Sequence, residues 1–406
     1  SPSAPLLTGK CDARAIPKLV LLCPGSPAFP YNSFLGLFGP HLNFVSSTFS
    51  ILISAPVVEN RALTMADQPI AVDSDLYAID CTYYPDDWQS ETTSIGSSIY
   101  RGLMENGRRL PSDERQFEAY EAGHLVALIM DSERENPFFR SPIGDSPQHI
   151  LDIGTGRGTW AIDVADMFPS ATVRGVDLFP PPVSWMPPNC ILEVDDVQRD
   201  WTWQGSFDLI HMRIMIGSFD GTEWDSLYQQ CFEKLCPGGW IEQLEVSPII
   251  ETDDGSLPPD NILNDWGPNM LGCGERAGRG CDTFDTMAGR IRNAGFVDVH
   301  EKLYKWPIGP WPRDQKLKDA GTVNFQHWVN GIEGWCMWLL TKFGHPQPWD
   351  IDEVYVYVAR LRKELNNPRF HIWHQGRRVW ARKPMPRDAP DNPKIRSTRP
   401  SFQPSP

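Results

Sequence analysis

Asp152 stands directly before a run of closely spaced glycines in Ile150-Leu151-Asp152-Ile153-Gly154-Thr155-Gly156-Arg157-Gly158-Thr159-Trp160, and Asp177 follows nineteen residues after Gly158. Glycines at this spacing supply left-handed backbone and bare N–H groups where a chain turns hard against a ligand. An acid about twenty residues further on, at the end of the next strand, is placed to grip a pair of ribose hydroxyls. The loop reads GxGxG, not the GxGxxG of a dinucleotide site, and a carboxylate just before it repels a pyrophosphate. The same carboxylate accepts hydrogen bonds from an amino group. S-adenosylmethionine carries an ammonium, a cationic sulfonium and no phosphate, so these residues favour it over a nicotinamide dinucleotide. Thr155 and Gly158 in the loop, and Leu178 after Asp177, join the candidate cofactor contacts.

Four further positions carry reactive side chains. In Glu193-Val194-Asp195-Asp196-Val197, Asp196 at a strand end can accept from an adenine amine while Val197 offers the ring an apolar face. His211-Met212-Arg213 ends another strand, at the crevice where ligands of such sheets bind. His211 is expected either to contact the ligand or to take a proton. Glu245, on the strand after that, and Tyr100 are the other candidate proton acceptors. No pair of residues reads as an acid–base dyad. That suits transfer from a sulfonium, where alignment matters more than proton removal.

The elements that must position these groups alternate. Apolar runs predict strands at His149–Ile153, Ala171–Val176, Cys190–Val194, Phe207–Met212 and Trp240–Val246, with helices over Thr159–Phe168 and Trp224–Leu235. Strands alternating with helices at this spacing predict a doubly wound α/β sheet. Cys236-Pro237-Gly238-Gly239-Trp240 reads as a tight turn feeding the last of these strands. Upstream, Ser112-Asp113-Glu114-Arg115 signals the start of a helix running through Phe117, Tyr120, His124 and Leu128. Beyond Ser247 a loop is expected, then helices at 258–272, 283–294, 315–342 and 351–366, with strands at Val297–Trp306 and Arg369–Lys383. Trp306, Trp311, Trp328, Trp335 and Trp338 fall in this late region and are expected to lid the crevice.

Composition bounds the partners. The 406 residues carry a net charge of −15 and are 41% hydrophobic, enough to bury a full core. The charge is +2 over residues 1–64, +6 from Arg377 onward and −23 between. A body so acidic repels phosphate backbones and anionic lipid, so neither a nucleic acid nor a membrane is an expected partner. No stretch of about 18 or more apolar residues reads as a span. Nine cysteines without a CxxC or a Cys/His ligand spacing suggest reduced thiols and no metal, hence a cytoplasmic or nuclear protein. The resulting division is 1–64, an extension either disordered or joined by a gene-model error; 65–145, an acidic arm and helical segment; 146–250, the cofactor-binding core; 251–383, a helical lid and the last two strands; and 384–406, a basic Pro/Ser-rich tail.

Leu151–Ala165, Gly175–Leu178, Glu193–Asp196, Phe207–Arg213 and Pro237–Trp240 resemble the class I S-adenosylmethionine-dependent methyltransferases. Tyr100–His124, Asp253–Ser256 and Trp306–Pro312 narrow the resemblance to the fungal LaeA-like methyltransferases. The resemblance spans about 90–383. It implies a Rossmann-like, mostly parallel seven-stranded sheet whose last strand is antiparallel, with a helical N-terminal segment and a helical lid insertion. It also implies cofactor contacts at Asp152, Gly154, Gly156, Asp177, Asp196, Val197 and His211. Arg157, where many relatives are expected to carry a small or hydroxyl residue, is a departure. The implied activity is methylation of O, N or C in a small secondary metabolite; the alternative is a nuclear regulator of secondary metabolism working in a protein complex.

Overall fold

The computed structural model describes residues 68–74, 103–105, 108–110, 114–178 and 185–388, all within one compact unit spanning Arg61–Pro406. Tyr100, residues 1–64, most of the acidic arm and nearly all of the basic tail lie outside the described residues.

Chain order gives β1 (Leu103–Glu105), β2 (Arg108–Leu110), α1 (Glu114–Met130), β3 (His149–Ile153), α2 (Thr159–Met167), β4 (Thr172–Asp177), β5 (Cys190–Val194) and β6 (Phe207–Arg213). There follow α3 (Gly221–Lys234), β7 (Leu235–Thr252), α4 (Leu263–Arg276), α5 (Thr283–Asn293), β8 (Val297–Pro307), α6 (Gln315–Phe343), α7 (Ile351–Leu365) and β9 (Ile372–Arg382). Seven strands form one sheet in the order β5-β4-β3-β6-β7-β9-β8. β3 to β7 pair in parallel, and β9 runs antiparallel to both β7 and β8. The architecture is the Rossmann-like one the sequence implies, with β1 and β2 as a separate antiparallel pair.

Alternation along the strands explains the two layers. Leu151, Ile153, Ile210 and Met212 face a core shared with α3 and α5, while Ile150, Val173 and Leu209 face one shared with α2. Three helices, α3, α6 and α7, start where a side chain satisfies free N–H groups. Asp220 and Glu223 form a reciprocal capping box on α3, Asp350 and Glu353 do so on α7, and Asp314 accepts from Leu317 N on α6. α4, α6 and α7 build their own apolar core around Trp266, Trp328, Ile332 and Leu361, which stands over the strand ends as the lid.

Three expectations are corrected. β7 neither begins at Trp240 nor ends at Val246; it runs eighteen residues, to Thr252. The Pro237-Gly238-Gly239 segment is a bulge within that strand, tied to β9's end by Gly238 N to Lys383 O and Lys383 N to Gly239 O. A second irregularity at Ser247–Ile249 lets pairing with β9 resume at Ile250 opposite His374. Trp306 and Trp311 do not belong to the lid wall. Trp306 is sealed against α6 and β7 residues, and the Trp311 indole donates to Ile372 O.

Candidate functional site

At the C-terminal ends of β3, β4 and β6 lies a cavity of about 1070 Å³, walled by the glycine loop on one side and by α1, α4 and α6 on the other. The loop is built by its own polar ties. Gly154 N and Thr155 N both donate to Val176 O, at 2.9 and 3.0 Å, folding the chain over the end of β4. Gly156 N donates to Asp177 Oδ2 at 2.9 Å, and Thr155 Oγ1 donates to Asp152 Oδ2 at 2.7 Å. Gly154 and Gly158 have φ of 69° and 83°, and a Cβ on Gly154 would lie 2.2 Å from Met215 Sδ. Only glycine fits there.

Asp152, Gly154, Thr155, Gly156, Asp177, Leu178 and Val197 line the cavity. Gly158 does not; its φ serves the turn into α2. Asp196 is also outside the lining, and its neighbour Asp195 is in it. The reason is local: Asp196 turns inward, 7% exposed, and its Oδ1 accepts from Gln198 N at 3.0 Å. Arg157 is in the wall, its guanidinium carbon 5.7 Å from the Phe117 ring centre.

The two described candidates for proton transfer sit elsewhere. His211 lies under the floor, not in it. Its Nδ1 donates to Asp152 Oδ1 at 2.8 Å, its ring stacks on Trp160 at 3.8 Å, and its Nε2 is sealed without a partner. Burial lowers its pKa against the opposing pull of Asp152, so the ring is neutral and orients the carboxylate above it. Glu245 is fully buried and lies outside the lining. Its Oε1 accepts from Met215 N at 3.0 Å and Gln243 Nε2 at 2.8 Å, which fixes the chain segment that covers Gly154.

Burial pushes the Glu245 carboxyl up to about 7 from an ordinary 4.5. The unfolded chain therefore releases this proton first, and between those pH values it holds fewer protons than the fold. Stability from this group falls as pH rises from 4.5 to 7, by about 3 kcal/mol. Denaturant unfolding followed across that range should show the fall in the parent and a flatter profile in Glu245→Gln. Parallel profiles would show that Glu245 is ionised throughout.

Trp328, Trp335 and Trp338 of α6 line the cavity, as expected of the lid. Sequence reasoning missed the rest of the wall: Phe117, Tyr120 and Glu121 from α1, Trp266 and Met270 from α4, and His327 from α6. Helical periodicity marks these residues as facing inward but cannot say onto what. Arg213, at the end of β6, makes no hydrogen bond among the described residues, and burial lowers its pKa.

These residues fit S-adenosylmethionine. Carboxylates of Glu121, Asp152, Asp177, Asp195 and Asp350 line the cavity together with the cations of Arg157, Arg213, Arg279 and Lys342. Asp152 and Asp177 flank the glycine loop, so the ammonium and ribose hydroxyls of a ligand seated there meet acceptors, whereas a pyrophosphate there meets like charge. When bound, S-adenosylmethionine supplies an activated methyl group. Asp177, Asp152 and the Gly154–Gly156 backbone would hold it.

Comparison with known proteins agrees. A methyltransferase-domain family profile matches residues 129–301. The chain is 33% identical over 322 residues to "Methyltransferase pytC" of Aspergillus terreus, covering 76% of this chain and 95% of that protein. It is 32% identical over 293 residues to "Secondary metabolism regulator LAE1" of Cochliobolus heterostrophus, covering 70% and 93%. It is 28% identical over 295 residues to "Protein-methionine methyltransferase laeA" of Emericella nidulans, covering 70% and 75%. The chain belongs to the class I S-adenosylmethionine-dependent methyltransferases, in the fungal LaeA/pytC family, and is an enzyme that methylates an organic substrate.

Proposed function

We propose that the methyl acceptor is a small secondary metabolite. The observation that carries this reading is the cavity itself. Its volume of about 1070 Å³ is at the upper end for small-molecule sites, room for a cofactor and an organic acceptor together. The wall facing the glycine loop is aromatic, from Trp266, Trp328, Trp335 and Trp338. Aromatic faces of this kind bind flat organic molecules by area. Cofactor contacts at Asp152, Gly154, Thr155, Gly156, Asp177, Leu178 and Val197, with Asp195 in place of Asp196, belong to the same reading. His211 and Glu245 are assigned to positioning. The resemblance to a pytC-named methyltransferase supports it.

A second reading is supported by the relatives named as secondary metabolism regulators. In it the same domain acts within a protein complex, and the nucleus joins the cytosol as a place of work. Metabolite profiles of a strain lacking the gene, set against its parent, separate the two. The small-molecule reading expects one methylated product to disappear and its unmethylated precursor to accumulate. Loss of many unrelated products would establish the regulator instead. Among the described residues no helix is long and apolar enough to cross a membrane.

A further inference from the structure

His327 lies on α6 in the cavity wall, 2% exposed. Its Nδ1 is 2.6 Å from the carbonyl oxygen of Ala119 on α1. A carbonyl oxygen only accepts, so Nδ1 carries the ring proton. Burial pushes the imidazole down to about 4, so at neutral pH the ring holds that one proton and Nε2 presents a lone pair. Nε2 has no hydrogen-bond partner among the described residues, and unlike His211 Nε2 it is not sealed in the core.

Its position over the sheet is set by Gly123 of α1. A Cβ there would meet Ile214 Cδ1 at 3.0 Å and His327 Nδ1 at 3.3 Å. Ile214 follows directly on the end of β6, so the bare glycine lets His327 stand over the strand end at the centre of the crevice. The Trp335 ring centre is 5.0 Å from the imidazole. Tyr120 and Glu121 of α1, Arg213 of β6, Arg279, Lys342 of α6, Asp350 and His374 of β9 are among the titratable or charged groups of the cavity lining.

Resting on the small-molecule reading above, we propose that Nε2 of His327 contacts the hydroxyl of a phenolic acceptor and takes its proton. The acceptor oxygen bonds to the methyl carbon, sulfur keeps the electron pair of the carbon–sulfur bond that breaks, and the hydroxyl proton passes to Nε2. The products are a methyl ether, a thioether and an imidazolium that loses its proton to water on product release. An oxygen acquiring a third bond becomes far more acidic than a free phenol, so a weakly basic imidazole suffices. One of ordinary basicity would be partly protonated near neutral pH and unable to accept. A phenol is favoured over an alkylamine because at neutral pH it keeps an oxygen lone pair to attack the methyl carbon, whereas an ammonium has none and is too weak an acid for so weakly basic an imidazole to deprotonate.

4-Methoxyphenol, which keeps its proton at neutral pH, serves as the probe, with S-adenosylhomocysteine bound and histidine nitrogens labelled with 15N. Nitrogen NMR of the parent is expected to show His327 Nε2 unprotonated and moving on addition of the phenol. His327→Phe keeps a flat ring against Trp335. It is expected to weaken 4-methoxyphenol binding about tenfold, as for one lost hydrogen bond, and to leave S-adenosylhomocysteine affinity unchanged. Equal binding of the phenol by parent and variant, or a protonated Nε2, would overturn the role of His327 alone. No binding of the phenol to the cofactor-loaded parent would overturn the aromatic small-molecule reading with it.

Discussion

Arg378→Met should lower the unfolding free energy by about 3–5 kcal/mol, the cost of leaving buried charge unpaired. Arg378 is 2% exposed on β9 and lies between two buried carboxylates, 2.6 Å from Glu242 Oε1 and 3.3 Å from Asp131 Oδ2. Glu242 also gathers the Arg140 and Ser141 backbone N–H groups and the Ser141 hydroxyl. Asp131 is bound by Arg140, by Tyr304 Oη at 2.7 Å and by Lys302 at 3.1 Å. Burial alone would raise the Asp131 carboxyl, but Arg378, Arg140 and Lys302 together hold it well below the usual carboxylate range. Its contribution to stability is therefore present above the ordinary carboxylate pKa and lost as pH falls well into the acid range. Denaturant unfolding at neutral pH measures the loss. Arg378→Lys, which keeps a charge without the fork, should fall between parent and Arg378→Met. A loss under about 1 kcal/mol in Arg378→Met would mean that the remaining donors compensate.

Cofactor affinity is the second large effect. Asp177→Ala should weaken S-adenosylhomocysteine binding by about 1.5–3 kcal/mol, the range for hydrogen bonds to a charged group. The carboxylate acts twice, as a wall group of the cavity and as the acceptor that holds Gly156 N. The pair Asp195→Ala and Asp196→Ala provides the internal control. Asp195 lines the cavity and Asp196 does not, so only the first should reduce affinity. Calorimetric titration reads all three. An unchanged affinity in Asp177→Ala would move the ribose end of the ligand elsewhere, and a larger loss in Asp196→Ala would restore the sequence assignment.

That Asp195 and not Asp196 lines the cavity shows where pattern stops being informative. Within strands the two-residue period fixes which side chains share a face, and β3, β5 and β6 lie where apolar runs place them. After Val194 the chain leaves the ladder. Asp195 N bonds to Asp177 O and Asp196 N to Asp195 Oδ1, so orientation comes from a turn with no period. The glycine loop was legible because its chemistry is local. His211 was legible as a strand-end residue, yet its partners are Asp152, across the ladder, and the Trp160 ring, packed against the same strand. His327 gave no local signal at all: its defining partner is Ala119, 208 residues away, reached only when α1 and α6 pack. The five-membered charge network is illegible for the same reason, since it joins α1, the segment at 140, β7, β8 and β9.

The place of β9 in the sheet bears on how the chain is made. Among the described residues the last strand is not at an edge but between β7 and β8. A ribosome emitting this chain has released β7, all eighteen residues of it, and β8 and the four helices from α4 to α7 before the strand that joins them exists. Until Ile372–Arg382 emerges, β7 carries an open hydrogen-bonding edge and β8 has no neighbour. Such edges are templates for pairing with other chains. Arg378 arrives on that same strand, so Glu242 also waits for its counter-charge, and Asp131 for one of its three, until that strand emerges. Sheet closure and the pairing of Glu242 with Arg378 thus converge on the emergence of one strand, and a nascent chain halted before residue 372 has neither.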